Sequence, residues 1–128
     1  MQNQLNLLKN TLKSNNALEL AILIGSQTNN TATANSDWDF AIQWQREIDA
    51  MQQLAKTEKL RNQLAKVLHT TDDKIDLINI PTAGLAIREV ITNEGVILKG
   101  DNTLALSHFL LKTWRELEEF YWGRIYAA

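Results

Sequence analysis

The amino-acid sequence predicts an α/β (α+β) fold, in which helices pack on a mixed sheet and a long helix comes last. Segments with apolar residues at helical spacing alternate with short segments that are apolar at every second position. The chain has 128 residues, of which 45% are hydrophobic and 22% charged, and it contains no internal repeat. We therefore expect one domain over residues 1–128, with elements in the order α, β, β, α, β, α, β, α.

The first third of the chain predicts one helix and two strands. Leu5, Leu8 and Leu12 recur at the spacing of one helical face. Residues 18–24 are rich in branched side chains with period-two alternation, and Gly25 ends this first strand. Residues 37–44 alternate again, with large apolar side chains on one face and two acids on the other.

The rest of the chain predicts three helices and two strands. Residues 48–68 contain no Gly or Pro, and we expect an amphipathic helix there. Its apolar side chains fall mostly on one side: Met51, Leu54, Leu60, Leu64 and Leu68. A short apolar strand runs from Ile75 to Ile80 and stops at Pro81. A helix from about Thr82, a strand over 96–98 and a long helix over 102–126 complete the prediction.

The charge balance and composition exclude several classes of function. Thirteen Lys and Arg against fifteen Asp and Glu give a net charge of -2, whereas binding of phosphate backbones normally needs a basic excess. We therefore expect no direct contact with nucleic acid. No apolar run is long enough for a bilayer, and the first residues lack the pattern of a leader, so we expect no membrane association. The absence of Cys suits a reducing cytoplasm.

The informative motif is Gly25-Ser26 followed, after ten residues, by Asp37-Trp38-Asp39. A glycine lets the chain turn sharply after a buried strand and lets a phosphate approach the backbone, and Ser26 is suited to cap a following helix. Asp37 and Asp39 lie on one face of a strand, about 6 to 7 Å apart at the backbone. Their oxygens can converge on Mg²⁺, and beside a triphosphate they can hold two ions.

Asp76, in the third predicted strand, is a third candidate. An unpaired acid is costly to bury, so Asp76 lies either at a strand edge in water or within a charged site, and we favour the charged site. There it would bind the nucleophile's metal and accept the hydroxyl proton. The competing interpretation of the Asp-x-Asp pair is ordinary turn or cap chemistry.

These residues resemble the signature of the DNA polymerase beta-like nucleotidyltransferase superfamily. The Gly25-Ser26 pair, Ser36 to Asp39 and the later Asp76 carry the resemblance. The short chain and the Lys-Ile-Asp-Leu strand are more closely similar to the minimal nucleotidyltransferases, the MNT antitoxins of HEPT/MNT toxin-antitoxin systems. The resemblance implies a nucleotidyltransferase-like fold and transfer of AMP from ATP, with Mg²⁺, onto a tyrosine of a HEPN-type ribonuclease toxin, which silences the toxin.

The resemblance assigns a role to each candidate residue. Asp37 and Asp39 would bind both metals, Asp76 would bind the catalytic metal, and Gly25 and Ser26 would hold the β- and γ-phosphates of ATP. Many relatives carry a basic residue a few positions after the Gly-Ser pair, whereas residues 27–30 are uncharged here. The positive charge for the triphosphate must then come from metals, backbone N–H groups, or a Lys or Arg elsewhere or on the partner.

Two other functions remain open from the sequence. The chain would be a non-catalytic antitoxin that neutralises its toxin by binding and occlusion, with a vestigial nucleotide site. Alternatively, it would transfer a nucleotide to a small molecule or an RNA end. The length disfavours this last option, because relatives with such acceptors usually append a further domain and 128 residues leave no room for one.

The last helix concentrates the aromatic residues of the chain. We expect one stripe of it to join the core: Leu110, Trp114, Leu117 and Tyr121. The remaining aromatic residues cannot all share that stripe, and we predict that some form a partner-docking surface: Phe109, Phe120, Trp122 and Tyr126. The two histidines are expected to be structural, His69 as a helix C-terminal cap and His108 as a hydrogen-bonded packing residue.

Overall fold

The computed structural model describes residues 2–28 and 36–126. The helices are α1 (Gln2–Lys13), α2 (Ala50–Val67), α3 (Leu85–Glu94) and α4 (Leu104–Tyr126). The strands are β1 (Leu18–Ile24), β2 (Trp38–Trp44), β3 (Ile75–Asn79) and β4 (Val96–Lys99). This order confirms the predicted succession of helices and strands. None of the helices in the described ranges is both long and apolar enough to cross a membrane.

The four strands form one mixed sheet in the order β3-β2-β1-β4. β1 pairs antiparallel with β2 and with β4, whereas β2 and β3 are parallel. Parallel neighbours need a crossover, which α2 supplies between β2 and β3. β3 is therefore an edge strand, and the start of β2 lies between the end of β1 and the start of β3.

The sheet separates two apolar clusters. One cluster joins α1 and α2 to the sheet through residues such as Leu12, Phe40 and Leu64. The other joins α3 and α4 to the opposite face through Ile22, Ile91 and Phe109. β1 is buried along nearly its whole length on both faces, which agrees with its almost continuous apolar sequence.

A bulge changes the alternation predicted for β1. The register of β1 against β2 shifts between Leu18 and Leu20. Leu18 consequently packs with the α1 and α2 cluster, whereas Leu20 packs with the α3 and α4 cluster. Strict period-two alternation would put both on one face, and the extra residue of a bulge moves Leu18 to the other.

Helix α2 buries a different stripe from the one predicted at its start. Leu60, Leu64 and Leu68 are buried as expected, but the Met51 and Leu54 side chains are 81% and 63% exposed. At 100° per residue, Met51 lies about opposite Leu60, so both cannot face the sheet. In the first half of α2, a hydrogen bond links the helix to the sheet: Trp44 Nε1 of β2 donates to Thr57 Oγ1 over 3.0 Å.

His69 occupies the position predicted for a helix cap. It follows the C-cap residue Leu68 with φ of +54°, and its N–H donates to Lys66 O over 3.3 Å. The next N–H, that of Thr70, reaches back to Ala65 O over 2.9 Å. These two bonds form a Schellman motif, in which a left-handed residue ends the helix.

The predicted inner stripe of α4 is only partly right: Leu110 packs against the cluster that joins α3 and α4 to the sheet, but other members do not. Leu106, Phe109 and Thr113 are buried, whereas the Trp114 and Tyr121 side chains are 52% and 46% exposed. Phe109 therefore belongs to the core and drops out of the predicted docking surface. Phe120 and Trp122 are exposed, and the Tyr126 side chain lies outside the described residues. His108 is also exposed, which contradicts its predicted packing role.

Polar contacts fix α4 against α3. Arg88 of α3 forms an ion pair with Glu116 of α4, and this contact lowers the pKa of the Glu116 carboxyl. Further along, the Tyr121 hydroxyl donates to Glu89 Oε2 over 2.7 Å. The second half of α4 is thus held by polar contacts more than by burial.

Candidate active site

Gly25 makes the turn at the end of β1, and the structure explains why a glycine is needed there. Its φ is +85°, a left-handed value that side chains disfavour. A Cβ built on Gly25 would stand 2.6 Å from Oδ2 of Asp39, closer than atoms normally approach. The backbone conformation therefore disfavours a side chain at this position, and any Cβ there would require the Asp39 carboxylate to move.

Ser26 lies within the turn rather than ahead of a helix. Gly25–Thr28 forms a single turn of 3₁₀ helix, in which the Thr28 hydroxyl donates to Gly25 O over 2.7 Å. Ser26 is half-buried in this turn. The expectation that it caps a following helix is not met within the described residues, and residues 29–35 lie outside them.

Asp39 is at the centre of the site because of the sheet register. It pairs with Ile24 of β1 on one side and with Asp76 of β3 on the other. Asp37 lies two residues earlier, just before β2 begins, and so faces the same side of the strand. The structure therefore places Asp76 beside Asp39, with Asp37 on the same face of the strand, next to the Gly25 turn.

The three carboxyl groups affect one another electrostatically. Burial has the largest effect and raises the pKa of the Asp39 carboxyl above its ordinary value of 3.8. The negative charges of Asp76 and Asp37 and a hydrogen bond between the Asp39 and Asp76 carboxyls raise this pKa further. Asp37 and Asp76 are exposed, so the site opens to solvent along the β3 edge of the sheet.

Lys74 is a site residue that the sequence reasoning missed. Its Nζ lies 4.0 Å from Oδ1 of Asp37, so a cation stands at the rim of the carboxylate cluster. Lys74 ends the one-turn helix Asp72–Lys74 directly before β3. The sequence could have indicated Lys74, because it lies two residues before Asp76 and side chains two residues apart on a strand share a face.

The donor set suits a hard divalent cation. Carboxylate oxygens are the ligands that Mg²⁺ prefers, and a cation would relieve the mutual repulsion that raises the Asp39 pKa. In the described part of the chain, no group of three or more His, Cys, Asp or Glu side chains is placed so that it could hold a metal ion. Mg²⁺ needs no such group, because it is usually held by one or two carboxylates together with water and substrate phosphates. The residues present therefore fit Mg²⁺ bound along with a nucleotide.

The fold is that of the nucleotidyltransferase class of proteins. The profile of the family described as polymerase beta, nucleotidyltransferase matches residues 6–103. The chain therefore belongs to the polymerase beta nucleotidyltransferase family. Among curated proteins, none matches the chain significantly.

Several solved toxin-antitoxin structures share the fold. A chain of a toxin-antitoxin crystal structure with AMP-PNP is 24% identical, with a TM-score of 0.71 over 94% of this chain and 91% of that one. A chain of the MntA-HepT toxin-antitoxin structure is 23% identical, with a TM-score of 0.67 over 97% of this chain and 92% of that one. A chain in a structure of a tri-AMPylated Shewanella oneidensis HEPN toxin with MNT antitoxin is 22% identical, with a TM-score of 0.66 over 96% of this chain and 91% of that one. These likenesses establish the architecture as a nucleotidyltransferase-like fold.

Proposed function

We propose that this chain is an antitoxin of the MNT type that acts as a Mg²⁺-dependent protein adenylyltransferase. It transfers AMP from ATP to a tyrosine of a HEPN-type ribonuclease toxin and thereby neutralises the toxin. The observation that carries the proposal is the register that places Asp39 beside Asp76, next to the Gly25 turn. We assign the reaction to the cytoplasm, which supplies ATP and Mg²⁺.

The known relatives support the choice of nucleotide and acceptor. One structural neighbour is a toxin-antitoxin crystal structure with AMP-PNP, an analogue of ATP. Another contains a tri-AMPylated HEPN toxin together with an MNT antitoxin. Because this chain belongs to the same superfamily and carries the three carboxylates, we extend both the nucleotide and the acceptor class to it.

Each site residue has a defined task in this reaction. Asp37, Asp39 and Asp76 would hold two Mg²⁺ ions, which neutralise the charge of the triphosphate. The Gly25 turn approaches the β- and γ-phosphates with its backbone N–H groups, and the Ser26 hydroxyl donates to them. Asp76 accepts the proton of the tyrosine hydroxyl. The tyrosine oxygen then bonds to the α-phosphorus while the bond to pyrophosphate breaks in line.

Lys74 supplies the positive charge that residues 27–30 lack. Its ammonium group is within 4.0 Å of the Asp37 carboxylate, where the triphosphate of a bound nucleotide would come close to it. An ammonium group attracts phosphate oxygens strongly, since hydrogen bonds between charged groups are about twice as strong as neutral ones. Together with the exposed position of Asp37 and Asp76, this makes the rim of the site the entrance for the nucleotide.

A labelling assay tests the enzymatic proposal. The chain, α-labelled ATP, Mg²⁺ and a HEPN-type toxin are incubated, and the label on the toxin is counted. We expect label on a toxin tyrosine that disappears in the Asp37→Asn, Asp39→Asn double variant. Asp101→Asn is the matched control, because Asp101 is exposed and follows β4 at the other end of the sheet. Undiminished label with the double variant would refute the metal assignment.

The second candidate function is an antitoxin that only covers its toxin. Exposed aromatic residues on the second half of α4, Phe120 and Trp122, favour it, because such residues commonly anchor protein interfaces. Cells that express the toxin separate the two functions. If the double Asp variant protects them as well as the parent chain does, occlusion is the mechanism, and if protection is lost, transfer of AMP is.

A further inference from the structure

Arg61 of α2 reaches the backbone of β3 behind the carboxylate site. Its Nη1 donates to the carbonyl oxygen of Ile75 over 2.5 Å, and its Nε donates to Glu58 Oε2 over 3.2 Å. Ile75 lies between Lys74 and Asp76, the two site residues that β3 and the turn before it supply. The accepting carbonyl belongs to the peptide group that joins Ile75 to Asp76, so Arg61 binds the backbone directly next to a candidate metal ligand.

Helix α2 and the carboxylates lie on opposite faces of the sheet. Ile75 is buried in the cluster that joins α1 and α2 to the sheet. Because side chains alternate along a strand, Asp76 faces the other side, which it shares with its neighbour Asp39 on β2. Within the described ranges, the ion pair that Arg61 forms is with Glu58 and not with a site carboxylate. Arg61 therefore acts on Asp76 through the backbone of β3.

The start of β3 is a place where an anchor matters. β3 is an edge strand of five residues, and Asp76 is its second residue. The ends of such a strand open more readily than the middle of a sheet, since fewer contacts hold them. The Ile75 N–H donates to Asp72 O in the turn before the strand, and the Ile75 carbonyl accepts from Arg61. Both polar backbone groups of Ile75 are thus fixed where the strand begins.

We infer that Arg61 is a positioning residue for the carboxylate site. It holds the peptide group between Ile75 and Asp76 and so keeps Asp76 in register with Asp39. The inference rests on the proposed function, in which Asp76 binds Mg²⁺ and accepts the tyrosine proton. Such groups must be held to within about 0.5 Å, and a misplacement of about 1 Å can lower a rate by about a hundredfold. Arg61 therefore contributes to the reaction without touching the substrate.

An arginine suits this task better than a lysine. Its planar guanidinium group presents N–H donors in a fixed arrangement, and the bond to Glu58 helps to direct Nη1 toward Ile75 O. The Arg61 side chain is 25% exposed and that of Glu58 60%, so their ion pair adds little to stability by itself. Lysine keeps the charge and a donor for the same carbonyl, but its direction is less defined. We therefore expect Arg61→Lys to keep part of the function and Arg61→Gln to lose it.

Calorimetric titration of the full chain with Mg²⁺ alone tests the inference without toxin or ATP. We expect Arg61→Gln to weaken Mg²⁺ binding by about ten- to a hundredfold, the loss that follows when a group that orients a metal ligand is removed. Arg61→Lys should weaken it less. Loss of a positive charge by itself would strengthen the binding of a cation, so weaker binding in Arg61→Gln reports a displaced ligand and not a charge effect.

Arg88→Gln is the matched control. Arg88 also donates through Nε to a backbone carbonyl, that of Ala83, and it also pairs with a glutamate, Glu116. These contacts hold α3 and α4 and do not involve β3. Arg88→Gln should therefore lower the melting temperature and leave Mg²⁺ binding unchanged. Circular dichroism checks that each variant is folded.

The labelling assay with a HEPN-type toxin supplies the second measurement. In Arg61→Gln, the Mg²⁺ concentration that gives the half-maximal rate should rise, and the rate at saturating Mg²⁺ should fall by about a hundredfold. A purely structural role would reduce the amount of folded protein and would leave the half-maximal Mg²⁺ concentration unchanged.

The outcomes separate this inference from the proposed function. Parent-like Mg²⁺ affinity in Arg61→Gln, with label transfer by the parent chain intact, would overturn the role of Arg61 and leave the proposed function standing. A parent chain that binds Mg²⁺ but transfers no label would refute the proposed transfer, while the titrations still decide whether Arg61 positions the metal ligand. A parent chain that binds no Mg²⁺ would overturn both.

Discussion

Asp39 of β2 lies directly opposite Asp76 of β3 in the parallel pair, and the negative charge of Asp76 adds to the effect of burial in raising the pKa of the Asp39 carboxyl. The site therefore stores an electrostatic repulsion that a cation would relieve. This relationship decides how the stability of the protein should respond to pH and to Mg²⁺.

The metal-free protein should lose stability as the pH rises through the raised pKa of Asp39. An acid whose pKa is raised on folding binds its proton more tightly in the folded state than in the unfolded state. Its contribution to the free energy of unfolding is therefore complete below the ordinary pKa of 3.8 and is lost as the pH rises through the raised pKa. Asp39→Asn should remove this part of the pH dependence and increase the melting temperature in EDTA near neutral pH. Melting curves between acidic and neutral pH measure both effects.

Mg²⁺ should act in the opposite direction on the parent protein. It binds the ionised carboxylates and should increase the melting temperature more at neutral than at acidic pH. Asp101→Asn serves as the control and should keep the pH dependence and Mg²⁺ response of the parent. An Asp39→Asn variant that melts below the parent in EDTA would contradict the electrostatic argument.

Gly25→Ala should abolish AMP transfer and destabilise the protein. The left-handed φ of +85° costs an alanine about 1–2 kcal/mol. The new methyl group would also stand 2.6 Å from Asp39 Oδ2 and push the central carboxylate out of place. Label transfer and thermal unfolding measure the two effects.

Gly123→Ala is the matched control for this substitution. A Cβ on Gly123 meets nothing within 4 Å, and alanine favours the helical backbone of α4. Its stability should be equal to or slightly above that of the parent. A Gly25→Ala variant with full activity would show that the close approach of Gly25 to Asp39 is dispensable.

Lys74→Gln should weaken binding of ATP by about tenfold, the loss expected when one charge-assisted contact is removed. Binding of Mg²⁺ alone should not weaken, because the substitution removes a cation 4.0 Å from the Asp37 carboxylate. Calorimetric titrations with Mg·AMP-PNP and with Mg²⁺ separate the two quantities. Lys74→Arg keeps the charge and should retain most of the affinity, and equal loss in both variants would argue against a charge effect.

Thr113→Val should stabilise the protein. Thr113 is fully buried in α4, and its Oγ1 has no hydrogen-bond partner among the described residues. An unsatisfied buried polar atom costs about 1–3 kcal/mol, and valine replaces the hydroxyl with a methyl group of similar size. Denaturant unfolding measures the gain. Thr113→Ser keeps the hydroxyl but removes a methyl group, so it should be less stable than the parent.

Periodicity in the sequence was sufficient to predict the elements, and short motifs were sufficient to propose most of the candidate site. The order of helices and strands follows from local alternation, which is set by the geometry of each element alone. Gly25, Asp37 and Asp39 could be found because their chemistry is expressed at short spacing. Asp76 could be proposed as a partner only indirectly, because an unpaired acid within an apolar strand is costly to bury.

Tertiary packing decided what local spacing could not. The parallel pairing of β3 with β2 aligns Asp76 with Asp39 and brings Lys74 to Asp37, and pairing depends on residues far apart in the chain. The stripes of α2 and α4 were partly mispredicted for the same reason. A helix with apolar residues on several sides, such as α4, does not specify which side meets the sheet. Packing against α3 and the sheet placed Phe109 and Thr113 in the interior and left Leu111 and Trp114 exposed.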